Sequence, residues 1–309
     1  MTKLGPAAFA IATLCLFAAC APKIDLQAVQ QYAQATADAG ASFSTVAAGY
    51  YQSCLRIREL QLTPNQMPQT LVPLGNAYSA STPQPTTAPN ANVPCSDAQG
   101  VSLEWDKRNA IVLGYVHALG AIAGVDVQPT FTPLGDALVN AKVVTKTEDS
   151  AFGALAAEIS SIAISGEQRE AIASEVTSIN EPLKNAVAAL KMVDDAYGQE
   201  LNAEFNVTFA YYDKLIRSEL PQNGGAPSPR LVDKIELQRQ RYTAALTAIN
   251  ADRGMTIDYA SVLDQIAKTH QELFDAAQSK PGLQVYISII QKDVIPLYQD
   301  VESLRKATK

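Results

Sequence analysis

The sequence predicts an all-α fold, an elongated antiparallel helical bundle with one proline-rich loop. No stretch of the 309 residues shows the sustained alternation of apolar and polar residues that marks a β-strand. Apolar residues recur instead at intervals of three and four, which is the spacing of one helix face. The segment from Leu183 to Leu220 alone would form a helix about 57 Å long at 1.5 Å per residue. We therefore expect long helices that pack side by side.

The first helix is predicted to run from Asp25, which can cap its N-terminus, to about Leu62. Its apolar residues repeat about every 3.5 residues, as in a coiled coil. The composition then changes, because residues 63–95 contain seven prolines and are otherwise mostly polar. We predict a long extended loop there, which is either a binding loop or spacer, or a tolerated surface insertion.

A second helix is predicted from about Leu103 to Val125, and its last 16 residues carry no formal charge. A helix that is apolar all round must lie among other helices or meet lipid, and this one is too short to span a bilayer. Three interpretations stay open: a buried central helix, a helix inserted in a membrane, and the wall of an apolar ligand pocket between bundle helices. The candidate pocket residues are Gly114, His117 and Ala121.

The longest periodic stretch follows a predicted third helix at 148–164 and repeats about every 3.67 residues, close to the period of a straight helix. Pro182 should kink or split this long helix near Asn180, which can cap the second part. Its apolar face from Tyr197 to Ile216 is rich in aromatic residues, so it is either internal core or a surface for a partner.

Three more helices are predicted after a hinge loop at 221–229, where prolines and glycines cluster. Breaks are expected at 252–254 and at 280–282, and Pro296 should bend the last helix. We expect the chain after the N-terminal segment, residues 20–309, to form a single helical domain.

The N-terminal segment has the pattern of an export signal. Lys3 precedes an apolar run of 13 residues, 7–19, which is the length of a signal-peptide core and too short to cross a bilayer. Small residues, Ala18 and Ala19, stand directly before Cys20. Residues 1–19 are therefore predicted to be a signal peptide.

Phe17-Ala18-Ala19-Cys20 resembles the lipobox of bacterial lipoproteins, with Phe17 where leucine is commonest. The resemblance implies cleavage before Cys20, a diacylglycerol on its sulfur and further acylation, for example by palmitate. By the same resemblance, Ala21 implies sorting to the outer membrane, facing the periplasm. An ordinary secretory signal that ends near a cysteine is the alternative.

Cysteine use agrees with export. Cys15 leaves with the signal and Cys20 is the proposed lipid site, so Cys54 and Cys95 remain. In an oxidising compartment these two most simply form a disulfide, whereas two buried free thiols are the alternative.

Composition argues against several functions. The chain carries 31 acidic and 24 basic side chains, a net charge of −7, which favours neither nucleic acid nor anionic lipid headgroups. His117 and His270 are the only histidines, and neither stands in metal-binding or acid–base spacing. Motifs for nucleophiles, phosphates and dinucleotides are missing from the sequence, so we expect no cofactor and no metal.

These observations predict a non-catalytic, lipid-anchored envelope lipoprotein that acts as a helical scaffold or partner-binding module. Its expected partners are the membrane, through the anchor, and another envelope protein. A small-molecule binder with an apolar pocket is the second hypothesis, and an enzyme is the remote one.

Overall fold

The computed structural model describes residues 25–61, 95–123, 168–220, 228–279 and 283–309, and these residues form helices with no strand among them. The predicted all-α helical bundle is confirmed for this part of the chain. The helices are α1 (Leu26–Thr36), α2 (Ala39–Gln61), α3 (Ser96–Ile122), α4 (Gln168–Glu219), α5 (Pro229–Ser279), α6 (Leu283–Ile289) and α7 (Ile295–Ala307), with a π-helical turn (Ile290–Val294) between the last two.

Helices α4 and α5 form a long antiparallel hairpin that sets the length of the bundle. At one end Gln278 donates to the Thr177 hydroxyl at 3.2 Å, and at the other Lys234 pairs with Glu219 at 3.4 Å. Between them Lys191 pairs with Asp264 at 2.7 Å. At 1.5 Å per residue, α4 is about 78 Å long. The molecule is therefore elongated along this hairpin.

Helix α3 is the centre of the core, as the buried-helix interpretation expects. All residues from 111 to 120 are buried, α1, α2 and α4 pack around the helix, and α5 binds it through side-chain hydrogen bonds. Trp105 donates to the Tyr259 hydroxyl at 2.8 Å, and that hydroxyl donates to Asn109 at 2.6 Å. Across the helices that the structure describes, none is both long and apolar enough to cross a membrane.

The predicted first helix is in fact two helices, since Ala37 and Asp38 form a turn between α1 and α2. The cause lies at Thr36, whose backbone accepts a hydrogen bond from His117 of α3 and whose hydroxyl donates to the Ala33 carbonyl at 3.0 Å. These bonds compete with the helical ones and end α1. Helix α3 also begins earlier than predicted, at Ser96 rather than Leu103.

Two predicted breaks do not occur. Helix α4 passes through Pro182 without splitting, because the loss of one backbone hydrogen bond there is outweighed by burial of the flanking Ile179 and Leu183. Asn180 consequently does not cap a helix. Helix α5 is likewise continuous across 252–254, where Asp252 and Arg253 bind side chains of other helices.

The predicted bend at Pro296 takes the form of the π-helical turn. Proline has no N–H, and its ring crowds the carbonyl four residues earlier, so the chain widens by one residue before it. The Asp293 carbonyl within this turn accepts a hydrogen bond from Gln265 of α5 at 2.8 Å. The predicted helix at 148–164, the break at 280–282 and nearly all of the proline-rich segment lie outside the described residues.

Candidate functional site: the α4–α5 arm

The three residues proposed to line an apolar pocket do not share one environment. Gly114 and His117 are buried, whereas Ala121, close to the end of α3, is exposed. A cleft with a volume of about 300 Å³ lies elsewhere, between α5 and α6. Its lining mixes the apolar Val285 and Ile289 with charged side chains, including an ion pair of Lys268 with Asp293 at 2.8 Å.

Both histidines serve the packing of the core. His270 is fully buried, and burial lowers its pKa to about 3, so its ring is neutral. Its Nδ1 lies 3.2 Å from the Asn180 carbonyl oxygen and donates to it, which leaves Nε2 to accept from the Tyr115 hydroxyl at 2.8 Å. His117 binds the Thr36 backbone, and burial lowers the pKa of His117. His270 therefore ties α3, α4 and α5 together, and His117 ties α3 to α1.

Cys54 and Cys95 lie at disulfide-bonding distance, with their Cα atoms 5.8 Å apart. This geometry agrees with the predicted pairing and joins the C-terminal half of α2 to the residue just before α3. Cys20, together with the whole predicted signal segment, lies outside the described residues.

The α4–α5 hairpin continues beyond the buried core of the described residues as an arm, which we define as residues 209–220 and 228–248. None of these residues is buried, whereas Thr208 and Ile249, just below the arm, both are. The α4 part extends about 18 Å and the α5 part about 30 Å at 1.5 Å per residue. Tyr212 and Tyr242 face each other inside the arm, with ring centres 5.7 Å apart.

One side of the arm is apolar at its two ends and charged in the middle. On each helix, the residue directly after an inward-facing residue points to one side of the arm. This side is the same for both helices, because they are right-handed and run antiparallel. We call this side the outer face, and it consists of Phe209, Asp213, Leu220, Val232, Glu236 and Arg239. Phe209 is 52% exposed, and Leu220 and Val232 are each 48% exposed. Phe209 lies at the base of the arm, and Leu220 and Val232 lie together towards its tip, so the apolar side chains of this face could contact a partner at both ends.

The opposite side of the arm is mainly basic, and it also carries Leu237, which is 46% exposed. It carries Lys214, Arg230 and Arg241, and none of the three makes an ion pair with a described residue. The two ion pairs in the arm are Arg217 with Asp213 at 2.8 Å and Lys234 with Glu219 at 3.4 Å. The arm thus has two sides of different chemistry.

A buried charge cluster holds the base of the arm to α2. Glu204 of α4 accepts hydrogen bonds from the Arg56 guanidinium, 2.9 Å from Nη2, and from the Ser53 hydroxyl at 2.6 Å. Arg56 also pairs with Asp252 of α5 at 2.5 Å. Close by, Gly49 lets the Tyr197 ring approach the α2 backbone, since a Cβ there would lie 3.0 Å from Tyr197 Cζ. These contacts fix the direction in which the arm leaves the bundle.

A second buried carboxylate has no cation bound to it. Asp194 is 6% exposed and its Oδ1 has no hydrogen-bond partner among the described residues. Burial first, and then the neighbouring Asp195, raise the pKa of Asp194 to about 7. The folded state therefore holds a proton that the unfolded chain releases near its ordinary pKa of 3.8.

We expect Asp194→Asn to make the protein more stable at pH 8 and to flatten its pH dependence. In the wild type the folded state binds more protons than the unfolded state between pH 4 and 7, so stability falls as pH rises through that window. The shift corresponds to at most about 4 kcal/mol. Urea unfolding across this pH range measures the effect. Asp195→Asn, an exposed neighbour with the same charge change, removes only the smaller cause of the shift and should therefore reduce the pH dependence less than Asp194→Asn does; an equal effect of both variants would contradict the assignment.

The aromatic face predicted from Tyr197 to Ile216 divides into two parts. Tyr197 and Leu201 are fully buried, Phe205 lies under Arg253, and Phe209 is exposed on the arm. The core interpretation is thus confirmed for the first half of this face, and a partner surface in the second half stays a prediction. Glu204 was not among the predicted site residues, although its position between Leu201 and Thr208 on the inward stripe was a signal for it.

Comparisons with known proteins found no match to this chain. No protein-family model matches the chain, and no curated protein or solved structure matches it either. Within the described ranges, no group of three or more His, Cys, Asp or Glu side chains is placed to hold a metal ion.

Proposed function

We propose that this protein is a non-catalytic scaffold of the bacterial cell envelope, tethered through lipid on Cys20, and that its arm binds a protein partner. One observation supports this most strongly: the N-terminal end of the described chain and the arm lie at opposite ends of the bundle. A tether at one end leaves the other end free to reach a partner.

The length of α5 measures this separation. Tyr32 of α1 donates to the Ile266 carbonyl of α5 at 3.0 Å. Pro229, where α5 begins in the arm, is about 55 Å from Ile266 at 1.5 Å per residue. Asp25 lies farther still from the arm, near Tyr286, whose raised pKa reflects burial and the Asp25 charge.

The proposed lipid on Cys20 would begin five residues before Asp25. A linker of that length spans at most about 18 Å when fully extended. The arm would therefore stand well away from the tether, and its exposed aromatic and apolar side chains suit an interface.

We expect Cys20→Ser to release the protein from the membrane fraction. The serine hydroxyl cannot take the thioether-linked lipid, and a protein held through that lipid loses its attachment. Fractionation of cells that express each form, with immunoblotting, measures the distribution. Cys15→Ser is the matched control because Cys15 lies within the predicted signal, and it should stay in the membrane. Membrane retention of Cys20→Ser would contradict the proposed anchor.

A further inference from the structure

We propose that the partner of the outer face is a second copy of this chain, so that two arms pack antiparallel to each other as a four-helix bundle. This inference rests on the proposed role of the arm as an interaction surface and names its partner.

The two helices of the arm do not bury the apolar residues of the outer face. A pair of helices buries only the stripe between them, and here that stripe contains Tyr212 and Tyr242. Phe209 and Leu220 lie outside it, eleven residues apart, which is three helical turns and therefore one side of α4. A second helix pair laid on this side would bury both residues, as facing helices do in a bundle.

The register of the hairpin shows which residues lie level with each other. Glu219 pairs with Lys234, and Phe209 contacts Tyr242 with ring centres 6.5 Å apart. A residue of α4 and a residue of α5 that lie level with each other therefore have numbers that add up to about 452. By this rule the point midway between Phe209 and Leu220 on α4 lies level with the point midway between Glu236 and Arg239 on α5.

One two-fold axis placed at that level pairs residues on α4 and on α5 at the same time. Rotation about it brings Phe209 of one copy onto Leu220 of the other, and the reverse. The same rotation brings Glu236 of one copy onto Arg239 of the other, twice. Arg239 makes no ion pair with any described residue of its own chain, and Glu236 accepts only one weak hydrogen bond, from Gln240 at 3.4 Å. Asp213, which the same rotation brings close to its own copy, is neutralised by Arg217 of its own chain, 2.8 Å away. Phe209, Leu220, Glu236 and Arg239 are thus complementary to the same four residues of a second copy, as a two-fold dimer requires.

The basic side of the arm excludes the other way of pairing. Lys214, Arg230 and Arg241 would meet the same residues of the second copy there, and like charges in an interface cost affinity. The arm is therefore expected to associate through the outer face only.

Sedimentation velocity on residues 20–309 carrying Cys20→Ser, which removes the lipid, tests the dimer. We expect a concentration-dependent dimer for this chain, and monomers with an unchanged melting temperature when Phe209→Glu and Leu220→Glu are added. Ile257→Glu is the matched control, since Ile257 is 69% exposed on α5 but lies outside the arm. A monomer at all concentrations before any arm substitution, or a dimer that survives the two substitutions, would overturn the proposal.

Exchange of the charges at Glu236 and Arg239 tests the register between the two arms. Arg239→Glu and Glu236→Arg should each raise the dimer dissociation constant about tenfold, because each creates two like-charge pairs. The double variant, which restores opposite charges, should recover the original constant. A double variant as weak as the single ones would overturn the antiparallel arrangement.

A photo-crosslinking residue at position 209 of the anchored protein in cells separates this inference from the proposed function. A crosslinked product with the mass of two copies supports both. A product with a different protein, together with a monomer in solution, overturns the inference and leaves the scaffold proposal standing. The absence of any crosslinked protein overturns both the inference and the proposed function. In a separate measurement, binding of the purified chain to phosphatidylglycerol vesicles as a monomer overturns the inference.

Discussion

Glu204→Ala is expected to lower the free energy of unfolding by about 3 to 5 kcal/mol. Glu204 is 2% exposed and accepts hydrogen bonds from both Arg56 and Ser53. Without its carboxylate, a half-buried guanidinium loses its main partner and a buried hydroxyl loses its acceptor, and both are costly. Arg56 keeps its pair with Asp252, so the lower end of that range is the better expectation.

Urea unfolding followed by circular dichroism measures this loss. Glu219→Ala is the matched control, since Glu219 also pairs with a cation, Lys234, but on the exposed arm. Exposed pairs contribute less than about 1 kcal/mol, so the control should unfold nearly as the wild type does. Equal destabilisation by the two variants would show that the buried cluster does not hold the base of the arm.

Removal of the disulfide is expected to lower the free energy of unfolding by about 4 kcal/mol, through Cys54→Ala with Cys95→Ala. The two residues are separated by 41 positions, and a bond that closes such a loop restricts the unfolded chain strongly. The wild type in a reducing agent should unfold like the double variant, and the agent should not affect the variant.

The control for this prediction is Cys54→Ser with Cys95→Ser, which tests whether lost packing rather than the lost bond causes the change. Both double variants should fall to similar stability if the bond dominates. Oxidised wild type no more stable than either variant would contradict a stabilising crosslink.

The helical class could be predicted because apolar spacing depends on local geometry alone. The same spacing was a poor guide to where helices stop. Thr36 ends α1 because His117, 81 positions away, binds its backbone, and no local pattern contains that contact. Pro182 fails to end α4 for the opposite reason, since residues around it are buried against distant helices. Tertiary contacts overrode local propensity in both directions.

The arm illustrates a different limit of the sequence. Tyr197 and Phe209 belong to one periodic pattern, yet the first is in the core and the second is in solvent. Periodicity indicates which residues share a face, but it does not indicate how far neighbouring helices extend along that face. The pairing of Cys54 with Cys95 could be anticipated because only two cysteines remained after the N-terminal segment was set aside.

The unbroken course of α5 has a mechanical consequence. A pull between a tethered N-terminus and a held arm would load this helix along its axis, because it contacts α1 through Tyr32 and also forms half of the arm. Its side-chain contacts with α4 lie perpendicular to such a pull. They would therefore all have to break at the same time and not one after another. We therefore expect the hairpin to resist a pull along its axis more firmly than a force applied sideways to its tip.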